Sequence, residues 1–330
     1  MSAVPATHAA RIERRAGPVL VHRLSTRMWL TRSVYAGSVV FVPPLGMVWA
    51  LQCAWESGVN ALELALLGVM YTATQLGITL GYHRHLSHRA FDPHPWLEVA
   101  LLVFASMAGQ GPPIHWAADH RRHHEFADEL GDPHSPHGME PNRRGGWARF
   151  WHAHVGWTFT NALTNTLYYC RDLQRSRRVR FVQRHYLLWL LSGLALPAAL
   201  GFAVRGDSSG LESGLLWGGF VRLTLGHHGT MAINSLAHLV GARPFATRDQ
   251  SRNLGWLAIC TFGEGWHNNH HAFPSSATFA LSKAEIDLGG WVLRVFAAVG
   301  LASNLKRPSA RALAALRGCA SVEREDAEDR

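Results

Sequence analysis

Three groups of histidines recur in the chain at short, patterned spacings: His83-Arg-His-Leu-Ser-His88, His120-Arg-Arg-His123-His124 and His267-Asn-Asn-His270-His271. Neutral imidazole is a strong ligand for transition metals, so the first chemistry to consider is a nitrogen-held metal site. Sulfur is set aside, because Cys53, Cys170, Cys260 and Cys319 form no CxxC pair and no short-range framework. On a helix, the i, i+3, i+4 spacing of the second and third groups puts three rings on one side, where they can converge on a metal. His83 and His88 are five apart and would diverge by about 140° on an α-helix. The helix is therefore expected to end or unwind there, and Gly77 and Gly81 make this feasible.

A further contribution comes from an apolar stretch, where Asn234 and His238 are i, i+4 and share a face, His238 as a ligand and Asn234 as a direct or water-bridged one. His227 and His228 lie further back and are expected to line a cavity or support the ligands. The three groups hold nine imidazoles besides the buried His238, more than one ion accepts, so two ions of borderline softness are indicated, with iron, copper and zinc all suited to imidazole. Asp119, Glu264 and Asp132 stand close enough in sequence to accept the second ring N–H of a ligand and fix its tautomer.

These groups need elements to hold them. The mean hydropathy of −0.02 resembles a soluble protein's, but the apolar residues are bunched into long blocks with the charges between them. Uncharged or nearly uncharged runs at 34–55, 61–80, 187–204 and 215–240 are each of a length to cross a bilayer and pair as two hairpins. Residues 97–109 are too short to span and read as buried or re-entrant. This arrangement places a cytoplasmic arm at 1–33, the region 81–186 and everything after 241 on one face, with 34–308 as the membrane domain and 309–330 as a tail. The +9 charge, carried by arginine except at Lys283 and Lys306, collects in 11–32 and 171–184 on that face, as the positive-inside rule requires. A basic balance of this origin calls for no nucleic acid.

The residues also carry a family resemblance. Gly81-Tyr82-His83-Arg84 to His88-Arg89, Trp116-Ala-Ala-Asp119-His120-Arg121, Asp132-Pro133-His134-Ser135, His154-Val155-Gly156-Trp157, Asn234-Ser235-Leu-Ala-His238 and Gly263-Glu264-Gly265-Trp266-His267-Asn268 to His271 resemble, in order, segments of the membrane fatty acyl desaturases of the stearoyl-CoA delta-9 type. The likeness covers roughly residues 35–308. It implies an all-α integral membrane protein, four transmembrane helices in two hairpins under a cytoplasmic helical cap that holds a di-iron site. The ligands it implies are His83, His88, His120, His123, His124, His238, His267, His270 and His271, with Asn234 acting through water. It further implies two Fe2+ ions, O2 as co-substrate, and a long-chain acyl substrate linked to CoA, acyl carrier protein or phospholipid, with Gln110 and Trp116 near the bend of its tunnel.

Two departures, Ala118 where animal acyl-CoA enzymes carry arginine and a longer segment from Gly138 to Phe150, are more like bacterial members and suggest a bacterial inner membrane. His94-Pro95-Trp96 lacks the glycines of a cytochrome b5 haem motif, so a separate ferredoxin, flavoprotein or cytochrome is expected to deliver electrons. The competing readings are a membrane di-iron hydroxylase, which shares the ligand set, and a metal transporter or b-type haem protein, which would place its histidines within the spans.

Overall fold

The computed structural model describes residues 19–138 and 145–317. Ser25 caps the first helix by accepting the N–H of Met28, and α1 (Thr26–Ser57) runs through Pro43 and Pro44 to Gly58. It starts well before the uncharged run at 34 and so takes in the end of the expected arm. Asn60 and Glu63 form a reciprocal capping box that opens α2 (Ala61–Leu76). Glu63 also accepts the hydroxyl of Ser213, so the one acid of this block ties the start of α2 to a segment 150 residues further along the chain.

At Gly77 the helix widens without a break into a π-helical segment, Gly77–Ser87. The sequence led us to expect an end or an unwinding; the chain instead changes pitch. Arg121 closes the segment by donating to the carbonyls of Leu86 at 2.5 Å and Ser87 at 3.1 Å. The short apolar α3 (Pro95–Met107) follows and stops at Gly109, whose φ is 73°. Its last carbonyls are held from another helix: buried Arg222 donates to Met107 O at 2.7 Å and the His227 ring to Ala108 O at 2.7 Å.

Beyond α3 come α4 (Pro113–Phe126), α5 (Gly146–His154), the strongly amphipathic α6 (Arg177–Arg184) and α7 (Tyr186–Arg205). The stretch expected to be one span at 215–240 is a helical path of changing pitch: a helix at Ser208–Ser213, a π segment at Gly214–Val221, α8 (Arg222–Ser235) and a 3-10 turn at Leu236–His238. Three described helices are long and apolar enough to cross a membrane, Thr26–Ser57, Ala61–Ser87 and Tyr186–Arg205. The fourth path is set apart by its polar residues and packs against the others. A Cβ at Gly214 would lie 2.0 Å from Pro197 O, so glycine permits this close approach to α7.

Strands are confined to two short antiparallel pairs among the described residues, Val21–Arg23 with Ala162–Thr164 and Asp92–Pro93 with Ala302–Ser303. The mostly helical architecture is as expected. Two further helices, α9 (His267–Ala272) and α10 (Leu288–Ala298), follow. A hydrophobic core joins Tyr82, Leu86 and Leu102 to Ile114, Val179 and Val182, so the π segment, α3, α4 and α6 form one packed unit.

Candidate metal centre

Nine histidines form two groups of ring nitrogens that could hold metal ions. His83, His88, His120, His124 and His270 make the first, and His123, His238, His267 and His271 the second; within each, the nitrogens lie within 4.8 Å of one another. The i, i+3, i+4 triplets do not converge on one point, as the spacing alone suggested. On α4, His120 and His124 enter the first group and His123 the second; on α9, His267 and His271 enter the second and His270 the first. Each helix thus serves both groups, the i, i+4 pair keeping together and the third ring crossing over.

The rings face each other through Nε2. Separations are 2.8 Å for His88 and His120, 2.8 Å for His124 and His270, 3.0 Å for His83 and His270, 2.9 Å for His238 and His267, and 3.3 Å for His123 and His271. A metal–imidazole bond of about 2.0–2.1 Å spaces neighbouring ligand nitrogens about 3 Å apart, so this packing suits ions at the two centres. The protonation state of five of the rings agrees. Burial first, then the neighbouring imidazoles, holds His88, His120, His124, His267 and His270 well below the usual imidazole range, and neutral rings are the ligating form.

Carboxylates hold the opposite nitrogens. The His83 Nδ1–H donates to Glu264, whose other oxygen accepts the Thr79 hydroxyl. His123 donates to Asp132 at 2.8 Å, His238 to Asp128 at 2.9 Å and His271 to Asp249 at 2.8 Å. Burial would raise these aspartates, yet the facing rings and their hydrogen bonds outweigh it and hold all three below the usual carboxylate range. Of the three carboxylates named from the sequence, Glu264 and Asp132 each accept a ring N–H of one of the nine histidines. Asp119 accepts the Thr164 hydroxyl and lines the neighbouring cavity. Asp128 and Asp249 were not singled out from the sequence, because each meets its histidine only through the fold. Asn268 and Asn269, passed over inside the third group, lock α9 in place, Asn268 accepting the Phe245 N–H at 2.9 Å and Asn269 donating to Phe279 O at 2.9 Å.

A cavity of about 570 Å³ adjoins the first group, within the range of about 300–1,000 Å³ usual for small-ligand sites. Trp116 forms part of its wall and stacks on His120 with centroids 5.1 Å apart. Gln110 ties the wall together, accepting the Trp116 indole N–H at 3.3 Å and donating to Thr230 Oγ1 at 2.9 Å. Asn234 lines the cavity beside His120 and His134, as does His227. His228 turns instead to His154, 3.1 Å away.

Residues 60–288 match the family described as fatty acid desaturase. The chain is 39% identical over 280 residues to the hex-5-enoyl-[acyl-carrier protein] acetylenase of Moorena producens, covering 83% of this chain and 86% of that one. It is 39% identical over 276 residues to delta-9 acyl-lipid desaturase 1 of Arabidopsis thaliana, 84% of each chain, and 36% identical over 242 residues to the sn-1 stearoyl-lipid 9-desaturase of a Synechocystis species, 72% of this chain and 70% of that one. The chain belongs to the fatty acid desaturase family, and it is an oxidoreductase that desaturates acyl chains.

Proposed function

We propose that this desaturase introduces a cis double bond at the delta-9 position of a long saturated acyl chain, using O2 and a di-iron centre held by the nine histidines. The observation that carries the reading is the adjacency of the first of the two Nε2 clusters to a largely apolar cavity, through Trp116 stacked on His120. Iron bound there supplies the oxidation that removes one hydrogen from each of two adjacent methylenes, with O2, two electrons and two protons consumed and two waters released. The chain's share is position. Gln110, Trp116 and Thr230 form a hydrogen-bonded wall that bends the acyl chain so that one C–C bond faces the centre. Asp128, Asp132, Asp249 and Glu264 hold the tautomers and ring planes of their histidines. Asn234, in the cavity wall one turn before His238, is placed to act through a water.

The relatives' names favour desaturation over hydroxylation at the same ligand set. Four spans at 34–55, 61–80, 187–204 and 215–240, both termini and the centre on the cytoplasmic side of a bacterial inner membrane, complete the reading. Cysteines replacing Ser57 and Ser209 should label from outside and one replacing Arg178 from inside. The electrons come from a separate ferredoxin, flavoprotein or cytochrome, steered by the arginines of 171–184, so turnover should fall with rising salt. The deciding experiment expresses the chain in a desaturase-deficient host and locates double bonds in its fatty acids chemically. Hydroxylated chains in their place would reject the reading.

A further inference from the structure

The cavity has a charged mouth as well as an apolar interior. Arg32 and Arg184 both line it. Each is the last formally charged residue before an apolar run, Arg32 before the uncharged body of α1 and Arg184 before α7, so the two lie at the same level, where the bilayer's hydrocarbon meets water. Just inside them, Tyr35 of α1 and Tyr186 of α7 join hydroxyl to hydroxyl at 2.6 Å and so fix the two helices' spacing. Beside them the lining is apolar and open at Leu187, which is 61% exposed. Arg32 is braced by donating to Ala162 O at 2.6 Å. Among the described residues no carboxylate pairs with either arginine, and the one acid in the lining, Asp119, is engaged by Thr164.

From this we infer that Arg32 and Arg184 form a binding site for the phosphate of a membrane phospholipid, whose attached acyl chain is the one desaturated. The inference rests on the desaturase reading and names its substrate class. Guanidinium groups recognise phosphate oxygens through charge-assisted hydrogen bonds. Their depth selects the source. A phosphate held between two lipid-facing helices belongs to a molecule already in the bilayer plane, whereas CoA or acyl carrier protein would offer its phosphate from the water side. A neutral galactolipid would leave both arginines without an anion.

The test uses the metal-loaded full chain in detergent, titrated with dioctanoyl-phosphatidylglycerol and with the galactolipid of the same acyl chains. Phosphatidylglycerol should bind at least about tenfold more tightly. Arg184→Gln should remove about that factor, Arg184→Lys should retain part of it, and the galactolipid should respond to neither. Arg32→Lys, which keeps the charge but loosens the brace, should fall between them. Equal affinity for the two lipids, phosphatidylglycerol binding untouched in Arg184→Gln, or displacement by free CoA at lower concentration than by phosphatidylglycerol would overturn the inference. In parallel, stearoyl chains on phosphatidylglycerol, galactolipid, CoA and acyl carrier protein are assayed for double bonds. Absence of product from every carrier would count against the delta-9 reading alone, since the titration judges the mouth without turnover.

Discussion

The backbone N–H of His88 donates to the carbonyl of His83 at 3.2 Å, a closure over five residues that leaves the two ring centroids 5.1 Å apart. An α-turn would send the rings to different faces; the π pitch sets them edge to face and admits both to the same nitrogen group. The segment's start depends on Gly77, where a Cβ would lie 2.3 Å from Ala105 N and 2.7 Å from the Phe104 carbonyl carbon on α3. Gly77→Ala should therefore cost about 1–3 kcal/mol by overpacking and lower the bound metal. Gly68→Ala, in open space on α2, should be neutral or stabilise by up to about 1 kcal/mol. Thermal unfolding of both variants in detergent decides: equal midpoints would mean that the close approach at Gly77 does not constrain the helix.

Metal content tests the division into two groups. Protein from iron-replete cells should carry about two irons per chain, because nine imidazoles exceed one ion's capacity. His120→Ala removes a ring from the first group and His238→Ala one from the second, and each should retain about one iron and lose turnover. His270→Ala should also be inactive, since its Nε2 lies against those of both His83 and His124. Elemental analysis beside activity checks this, and full activity in any of the three would sink the shared centre.

Much of this centre was legible in the sequence because its ligands come in short local patterns, and His120, His123 and His124 declare a helix face by spacing alone. What spacing does not carry is the relative placement of α4 and α9, which splits each triplet between two groups. Nor does it carry pitch: the sequence between His83 and His88 reads equally as a helix end, and the π closure follows from packing of Gly77 and Gly81 on α3 and from Arg121 capping the carbonyls. The run 215–240 reads as one span by its apolar residues, yet Arg222 and His227 within it serve the end of α3. Asp128 lies 110 residues from His238 and Asp249 22 from His271, distances at which no local motif operates.

Those two aspartates give a prediction that separates them from Asp119. Asp128→Asn and Asp249→Asn replace the anion behind a ring N–H with an amide, and loss of such a partner lowers metal affinity about 10–100-fold. Asp119→Asn should leave metal affinity unchanged, because Asp119 accepts from Thr164 and not from a ring. Competition with a chelator reads all three without turnover. Comparable losses in Asp119→Asn and Asp249→Asn would show that the hydrogen bonds to the rings are not what sets affinity.

The wall beside the centre should govern where the double bond falls. Thr230→Val removes the hydroxyl that accepts from Gln110 while keeping the side chain's volume, and Gln110 then loses one of the two contacts that hold it against Trp116. A loosened wall should spread the double bond over neighbouring positions, with iron content unchanged. Chemical location of the bonds in the products checks this; a single unchanged position would remove Gln110 and Thr230 from the determinants of regiospecificity.

The ion pair next to His83 sets the last expectation. Arg84 is fully buried and donates to both oxygens of Asp287, at 2.8 and 2.9 Å, and Asp287 also accepts the Phe279 and Gly290 N–H groups at 2.8 Å each. Burial would raise the Asp287 carboxyl, but the Arg84 charge and these hydrogen bonds outweigh it and hold it below the usual range. A carboxyl lowered on folding contributes its full stability above its unfolded value of about 3.9 and loses it as pH falls through the folded one. Asp287→Asn should therefore weaken the acid dependence and, at neutral pH, cost about 3–5 kcal/mol by leaving a buried guanidinium uncompensated. Replacing both partners, Arg84→Met with Asp287→Leu, should recover much of that loss, because a buried pair is costly to break and often cheap to replace with apolar volume. Denaturant unfolding of the single and double variants checks both, and a double variant no more stable than Asp287→Asn would mean that the bonds to Phe279 and Gly290, not the charge on Arg84, are what Asp287 contributes.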